Sequence, residues 1–219
     1  MRIGIIGAGN IGGALTRRLV ALGHAVRVAN SRDPETLAEL ARESGAEAVW
    51  AMKAAEGADV VVVTIPLKNI PDLPAGILDG ARPDAAIIDT CNYYPQQRDG
   101  RIAAIEEGMP ESVWVSRQLG RSVIKVFNMI GANSIEHQGK PPGVPGRFAL
   151  PVAGDDPTAK ARVMGLVDAL GFDAVDAGSL DESWRQQPGT PVYGPLRDAD
   201  GVRRALLEAS PERPPGFRA

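Results

Sequence analysis

The feature that most restricts how this chain can fold is its opening, Met1-Arg2-Ile3-Gly4-Ile5-Ile6-Gly7-Ala8-Gly9-Asn10-Ile11-Gly12. Arg2 to Ile6 reads as a short apolar strand. It runs without a linker into Gly-x-Gly-x-x-Gly and then a helix over Ile11 to Leu22. Each glycine has a mechanical reason: Gly7 permits the tight turn off the strand, and Gly9 lets backbone approach a pyrophosphate with no side chain between. Gly12 lets the helix sit close on the sheet. The helix start then offers unpaired N–H groups and the positive end of a dipole. A second strand, Ala25 to Ala29, completes the context in which these glycines bind a dinucleotide.

The residues past that second strand bear on which dinucleotide fits. NAD-binding chains place Asp or Glu roughly 20 residues after the glycines, to bond the ribose hydroxyls. Here the position is Asn30-Ser31-Arg32, with no carboxylate at the strand tip. A serine hydroxyl and a guanidinium suit a 2′-phosphate, which a carboxylate would repel. Asp33 and Pro34 read as the N-cap and first residue of a helix through Ser44. The pattern predicts NADP(H) rather than NAD(H).

The remaining pattern alternates strands and helices. Strands are expected at Glu47 to Val49, Asp59 to Thr64, Ala85 to Asp89, Ser122 to Phe127, Phe148 to Ala153 and Phe172 to Asp176. Helices are expected at Trp50 to Glu56, Ile70 to Leu78 (weakened by Pro71, Pro74 and Gly76), Glu111 to Leu119, Pro157 to Leu170 and Asp200 to Glu208. This predicts an α/β chain with a Rossmann-type, doubly wound parallel sheet. A domain over 1–176 would carry it, with a short irregular segment over 177–219 after it. Pro151 places its strand at an edge, and Gly139 to Arg147 reads as a turn-rich loop.

With 219 residues, one core plus an appendage is the expected size. A net charge of −3 with scattered Lys and Arg speaks against nucleic acid. No apolar run approaches the roughly 18 residues of a membrane span, and Met1 leads straight into a strand. One cysteine permits no internal disulfide. The expected setting is cytoplasmic.

Ligands of doubly wound sheets bind outside the carboxyl ends of the strands. The predicted rim is therefore Gly7 to Gly12, Asn30 to Arg32, Thr64 to Pro66, Thr90 to Tyr94 and Asn128 to Ala132. His24 and His137 fit no metal or triad spacing, and no metal site is expected. Cys91 reads as a small residue in a tight loop. Tyr93 and Tyr94 either stack on a planar ring or pack against the C-terminal segment. Asn92 and Asn128 either bond the nicotinamide carboxamide or ribose, or cap helices. No catalytic acid or base stands out, as befits hydride transfer by positioning alone.

The opening glycines, Asn30-Ser31-Arg32, Thr64-Ile65-Pro66 and Val123-Ile124-Lys125-Val126-Phe127-Asn128 together resemble the coenzyme F420-dependent NADP oxidoreductases. Val152 to Asp156 and Asp176 to Leu180 extend the likeness, and the reductase domain of the STEAP metalloreductases is more distantly similar. The resemblance implies NADPH on the Rossmann half and a deazaflavin (F420) or flavin against its nicotinamide, in a cleft closed by the C-terminal segment, 177–219, often in a homodimer. Carried over by position, Gly7, Ala8, Gly9, Asn10, Ile11 and Gly12 would surround the pyrophosphate. Asn30, Ser31 and Arg32 would form the 2′-phosphate turn. Thr64, Ile65 and Pro66 would flank the nicotinamide ribose, while Ile130 and Ala132 would line the ring pocket. The better-known F420 enzymes carry a histidine near the place of Asn128 and a basic residue near that of Trp184, so this chain departs on the acceptor side.

Overall fold

A computed structural model describes all residues, 1–219. Six parallel strands form the main sheet in the order β3-β2-β1-β4-β5-β6. They are β1 (Arg2–Ile6), β2 (Ala25–Ala29), β3 (Glu47–Ala48), β4 (Val60–Val63), β5 (Ala86–Asp89) and β6 (Ile124–Lys125). Strand order reverses between β1 and β4, which pair directly from Ile3 with Val60 to Ile6 with Val63. A ligand crevice belongs at such a reversal, since the connections leave on opposite sides there.

Both faces of the sheet are buried, which explains its near-continuous apolar strands. Ile3, Ile5, Val60, Val62 and Ile88 pack on one side, where α1 (Asn10–Ala21) contributes Leu15 and Leu19. Ile6, Val61, Val63 and Ile87 face the other side with Ala54 of α3 (Ala51–Ala54), Ile105 of α4 (Ala103–Glu106) and Val115 of α5 (Glu111–Leu119).

The segment after Asp33 begins as a 3-10 turn over Pro34–Leu37 and becomes α2 only at Ala38–Ser44. The expected helix over Ile70 to Leu78 is absent. A 3-10 turn over Leu67–Asp72 stands there instead, with Pro71 inside it; proline supplies no N–H for an α-helical bond. The strand expected over Ser122 to Phe127 pairs only at Ile124–Lys125. Phe127 ends it with φ 63, the one non-glycine residue of positive φ, and so re-aims the chain at the rim.

Beyond α6 (Ala132–His137), β7 (Ala149–Val152) and β8 (Asp173–Asp176) form a separate parallel pair rather than extending the main sheet. One antiparallel bridge, Lys125 to Ala153, joins the two sheets. Pro151 lies on the edge of this pair away from β8 and its carbonyl accepts Gln186 Nε2–H at 3.3 Å. α7 (Pro157–Ala169) packs Val163, Leu166 and Val167 on the side of Leu150 and Val152. α8 (Ala199–Leu207) covers the opposite side with Val202, Ala205 and Leu206. Asp156 caps α7 through the Thr158 and Ala159 N–H groups, at 2.8 and 3.0 Å. Its neighbour Asp155 instead accepts the Leu180 N–H at 2.9 Å and ties down the next segment. No helix is long and apolar enough to cross a membrane.

Candidate active site

The three glycines of the first turn do different work. A Cβ on Gly12 would lie 1.9 Å from the Gly7 carbonyl oxygen, and one on Gly7 would lie 2.2 Å from the Thr64 oxygen. Gly7 also adopts φ +109, which disfavours any side chain. A Cβ on Gly9, by contrast, would meet nothing within 4 Å. Gly7 and Gly12 therefore serve packing, while Gly9 leaves open space above α1. The Asn10, Ile11 and Gly12 N–H groups have no acceptor in the chain, so the helix start presents donors and a dipole to an anion. This arrangement fits a dinucleotide diphosphate.

The distinction is testable. Gly9→Ala is expected to leave the urea midpoint almost unchanged and weaken NADPH about tenfold or more, since a methyl would occupy the diphosphate's approach. Gly12→Ala is expected to lower stability by about 1–3 kcal/mol, the cost of forcing atoms into a filled space.

At the end of β2, Asn30 Oδ1 accepts the Arg32 N–H at 2.8 Å and Asn30 Nδ2 donates to Thr36 Oγ1 at 3.0 Å. These bonds set the turn and leave Ser31 and Arg32 exposed. The Arg32 guanidinium has no ion-pair partner within the chain. Asp33 is spent as a cap, accepting the Glu35 N–H at 2.9 Å. Thr64, Ile65 and Pro66 follow β4 directly and are half-buried at the rim.

The far half of the rim is tied to the C-terminal segment. Asn92 Oδ1 accepts Asn128 Nδ2–H at 3.1 Å, and Asn92 Nδ2 donates to the Asn128 carbonyl at 2.7 Å. Asn128 Nδ2 also donates to the Gln186 carbonyl at 2.7 Å, and its Oδ1 accepts Gln186 Nε2–H at 3.1 Å. Neither asparagine caps a helix. Ile130 is buried and Ala132, at the start of α6, is half-buried.

Tyr93 is fully buried, with its hydroxyl accepting the Ile102 N–H at 3.0 Å and the Arg213 guanidinium over its ring at 5.3 Å. Tyr94 and Tyr193 are half-buried and their hydroxyls hydrogen-bond one another. Both rim tyrosines thus pack against the C-terminal segment. Cys91 is buried with Sγ 3.2 Å from the Ile65 carbonyl, and burial raises its thiol well above the ordinary value; it is no nucleophile.

Sequence patterning misses the buried ionic groups beneath this rim. Lys125 pairs with Asp89 at 3.3 Å, and both side chains are fully buried. Glu111 is buried too, paired with Arg213 at 2.9 Å while accepting the Tyr93 N–H at 3.1 Å. Burial holds the Glu111 carboxyl above the usual range despite Lys125 and Arg213. The folded chain therefore binds this proton more tightly than the unfolded chain. Stability is expected to fall as pH rises from the unfolded glutamate pKa through the folded one. Glu111→Gln should flatten that part of the profile, read from urea midpoints between about pH 4 and about pH 8.

Residues 2–93 match the sequence profile of the family described as NADP oxidoreductase, coenzyme F420-dependent. That stretch holds the glycine turn, the Asn30-Ser31-Arg32 turn and the β4 rim, so the likeness read from the sequence holds there for an NADP-dependent oxidoreductase. The Escherichia coli protein YjhV is 52% identical over 59 residues, which is 27% of this chain and 43% of that protein. The chain thus matches less than half the length of this curated relative. Among solved structures, a hypothetical protein, SMa0349 of Sinorhizobium meliloti, is 28% identical with TM-score 0.75, covering 90% of this chain and 94% of that one. An Arthrobacter protein provisionally described as an F420-dependent NADP reductase shares the fold, with TM-score 0.69, 23% identity and coverage of 82% and 86%.

Proposed function

We propose, from a chain whose residues 2–93 match the NADP oxidoreductase profile, an NADP(H)-dependent oxidoreductase that moves hydride between NADPH and a second molecule. The observation that carries this reading is the open space at Gly9 above unpaired helix N–H groups, together with an exposed Arg32 on the turn after the neighbouring strand β2. Gly7 to Gly12 hold the diphosphate, with Ala8, Asn10 and Ile11 along it. Asn30, Ser31 and Arg32 hold the 2′-phosphate. Thr64, Ile65 and Pro66 flank the nicotinamide ribose, and Ile130 and Ala132 lie by the ring, with Asn92 and Asn128 behind it. NADPH supplies the hydride; the chain orients it.

Residues 177–219 close the acceptor end, a role supported by the bonds of Gln186 to Asn128, Tyr193 to Asn92 and Arg213 to Glu111. For the acceptor, the family likeness supports a deazaflavin of the F420 type or a flavin. A second reading, a small carbonyl or imine, is favoured by the paired Tyr94 and Tyr193 hydroxyls.

The test is to mix purified protein with NADPH and follow nicotinamide absorbance. F420, FMN, FAD, ferric chelates and small ketones are supplied in parallel. Oxidation with at least one acceptor, and slower oxidation of NADH, is the expected result. Tight NADPH binding with no turnover would instead mark a sensor of the NADPH/NADP⁺ ratio, and no binding at all would overturn the proposal.

A further inference from the structure

Two phenols left unused by cofactor binding meet above the ends of β5 and β6. Tyr94 follows β5, and Tyr193 arrives 99 residues later. It is carried by an irregular stretch between Gly189 (φ +89) and Gly194 (φ +119). Besides touching Tyr94, the Tyr193 hydroxyl oxygen accepts Asn92 Nδ2–H at 3.3 Å. Asn92 is itself held by Asn128 and by Arg98, whose Nη2 donates to the Asn92 carbonyl at 2.6 Å. With a donor already at its oxygen, Tyr193 directs its own proton away from Asn92, toward Tyr94 or toward a ligand beside it. Burial, and next the Tyr94 hydroxyl, push the Tyr193 phenol upward, so it stays protonated at any working pH. Such a group is a poor base and a persistent donor.

We infer that Tyr193 is the proton donor to an acceptor containing a polarised C=O or C=N bond, with Tyr94 as its positioning residue. This rests on the NADP(H) reading and selects between its two acceptors. In reduction, the acceptor carbon gains hydride as the C–H bond at nicotinamide C4 breaks and NADPH becomes NADP⁺. The π pair moves to oxygen or nitrogen, where Tyr193 delivers its proton. The phenolate regains a proton from Tyr94, and Tyr94 regains one from water. A deazaflavin or flavin would take its proton from solvent and leave the phenols without a task.

The experiment compares wild type, Tyr193→Phe and Tyr94→Phe, using cyclohexanone, 1-pyrroline, F420 and FMN as acceptors for NADPH. A readout without turnover accompanies it: calorimetric titration of 2-pyrrolidinone, an unreduced lactam, into the protein with NADP⁺. Wild type should oxidise NADPH with the ketone or the imine. Tyr193→Phe should lower kcat about a hundredfold to ten-thousandfold and weaken the lactam about tenfold, with NADPH affinity unchanged. Tyr94→Phe should lower kcat while leaving KM in place. Turnover of neither ketone nor imine would overturn the acceptor class, whatever F420 and FMN do. Full activity and unaltered lactam binding in Tyr193→Phe would overturn the role of Tyr193. Failure of wild type to bind NADPH would remove the cofactor reading, and this inference with it.

Discussion

Lys125→Met is expected to cost about 3–5 kcal/mol of stability, the usual penalty for leaving a buried charge without its partner. Asp89 is fully buried on β5, and its carboxylate is fixed from three directions. Lys125 Nζ stands 3.3 Å from Oδ2, Ser112 Oγ donates to the same oxygen at 2.6 Å, and the Cys91 N–H donates to Oδ1 at 2.8 Å. Methionine fills similar volume and returns no charge. The second substitution, Asp89→Leu on top of Lys125→Met, should recover part of the loss, because it removes the orphaned charge. Urea midpoints of the two variants check this. If the single variant matches wild type, Asp89 must be neutral or hydrated in the folded chain. The effect also reaches the rim: Lys125 Nζ donates to the Cys91 carbonyl, one residue before Asn92. Its loss should therefore loosen the β5 end that carries Asn92 and Tyr94.

That ionic cluster also shows where reading from sequence stops. The glycine turn was legible because each glycine answers a local constraint, and β4 because an unbroken valine run can only be buried on both faces. The helix expected from Pro157 was legible because its start is local, Pro157 in the first turn and Asp156 capping it. Nothing local, however, distinguishes Lys125 from a surface lysine on a strand of alternating pattern. Its burial depends on Asp89 and Cys91, far away in sequence. The same holds for Asn92, Asn128 and Gln186, which hydrogen-bond one another across three segments. Strand alternation likewise gave no notice that Phe127 would turn out of the sheet and cut β6 to a single pair of residues. The glycine turn, the Asn30-Ser31-Arg32 turn and the end of β4 were readable because they lie on one contiguous stretch. The contacts of Asn92, Asn128 and Tyr94 with Gln186 and Tyr193 form only when residues 177–219 fold back, so periodicity and spacing are silent on them.

Arg32→Ala is expected to weaken NADPH by about 1.5–3 kcal/mol, the worth of a hydrogen bond to a charged group, and to leave NADH nearly unchanged. The asymmetry follows from the turn. Asn30 Oδ1 holds the Arg32 backbone N–H, not its side chain, so alanine preserves the turn while removing the guanidinium. Because Arg32 has no carboxylate partner within the chain, no buried charge is left behind, and stability should shift by no more than about 0.5 kcal/mol. Isothermal titration with both nucleotides, and with 2′,5′-ADP as the isolated phosphate-bearing half, separates the contributions. NADPH and 2′,5′-ADP should lose equally. The loss should shrink at high salt, since an exposed phosphate–guanidinium contact is screened. Equal losses for NADPH and NADH would place the guanidinium on the adenosine or the diphosphate and withdraw the 2′-phosphate assignment. Ser31 would then be the remaining group of that turn able to discriminate between the two nucleotides.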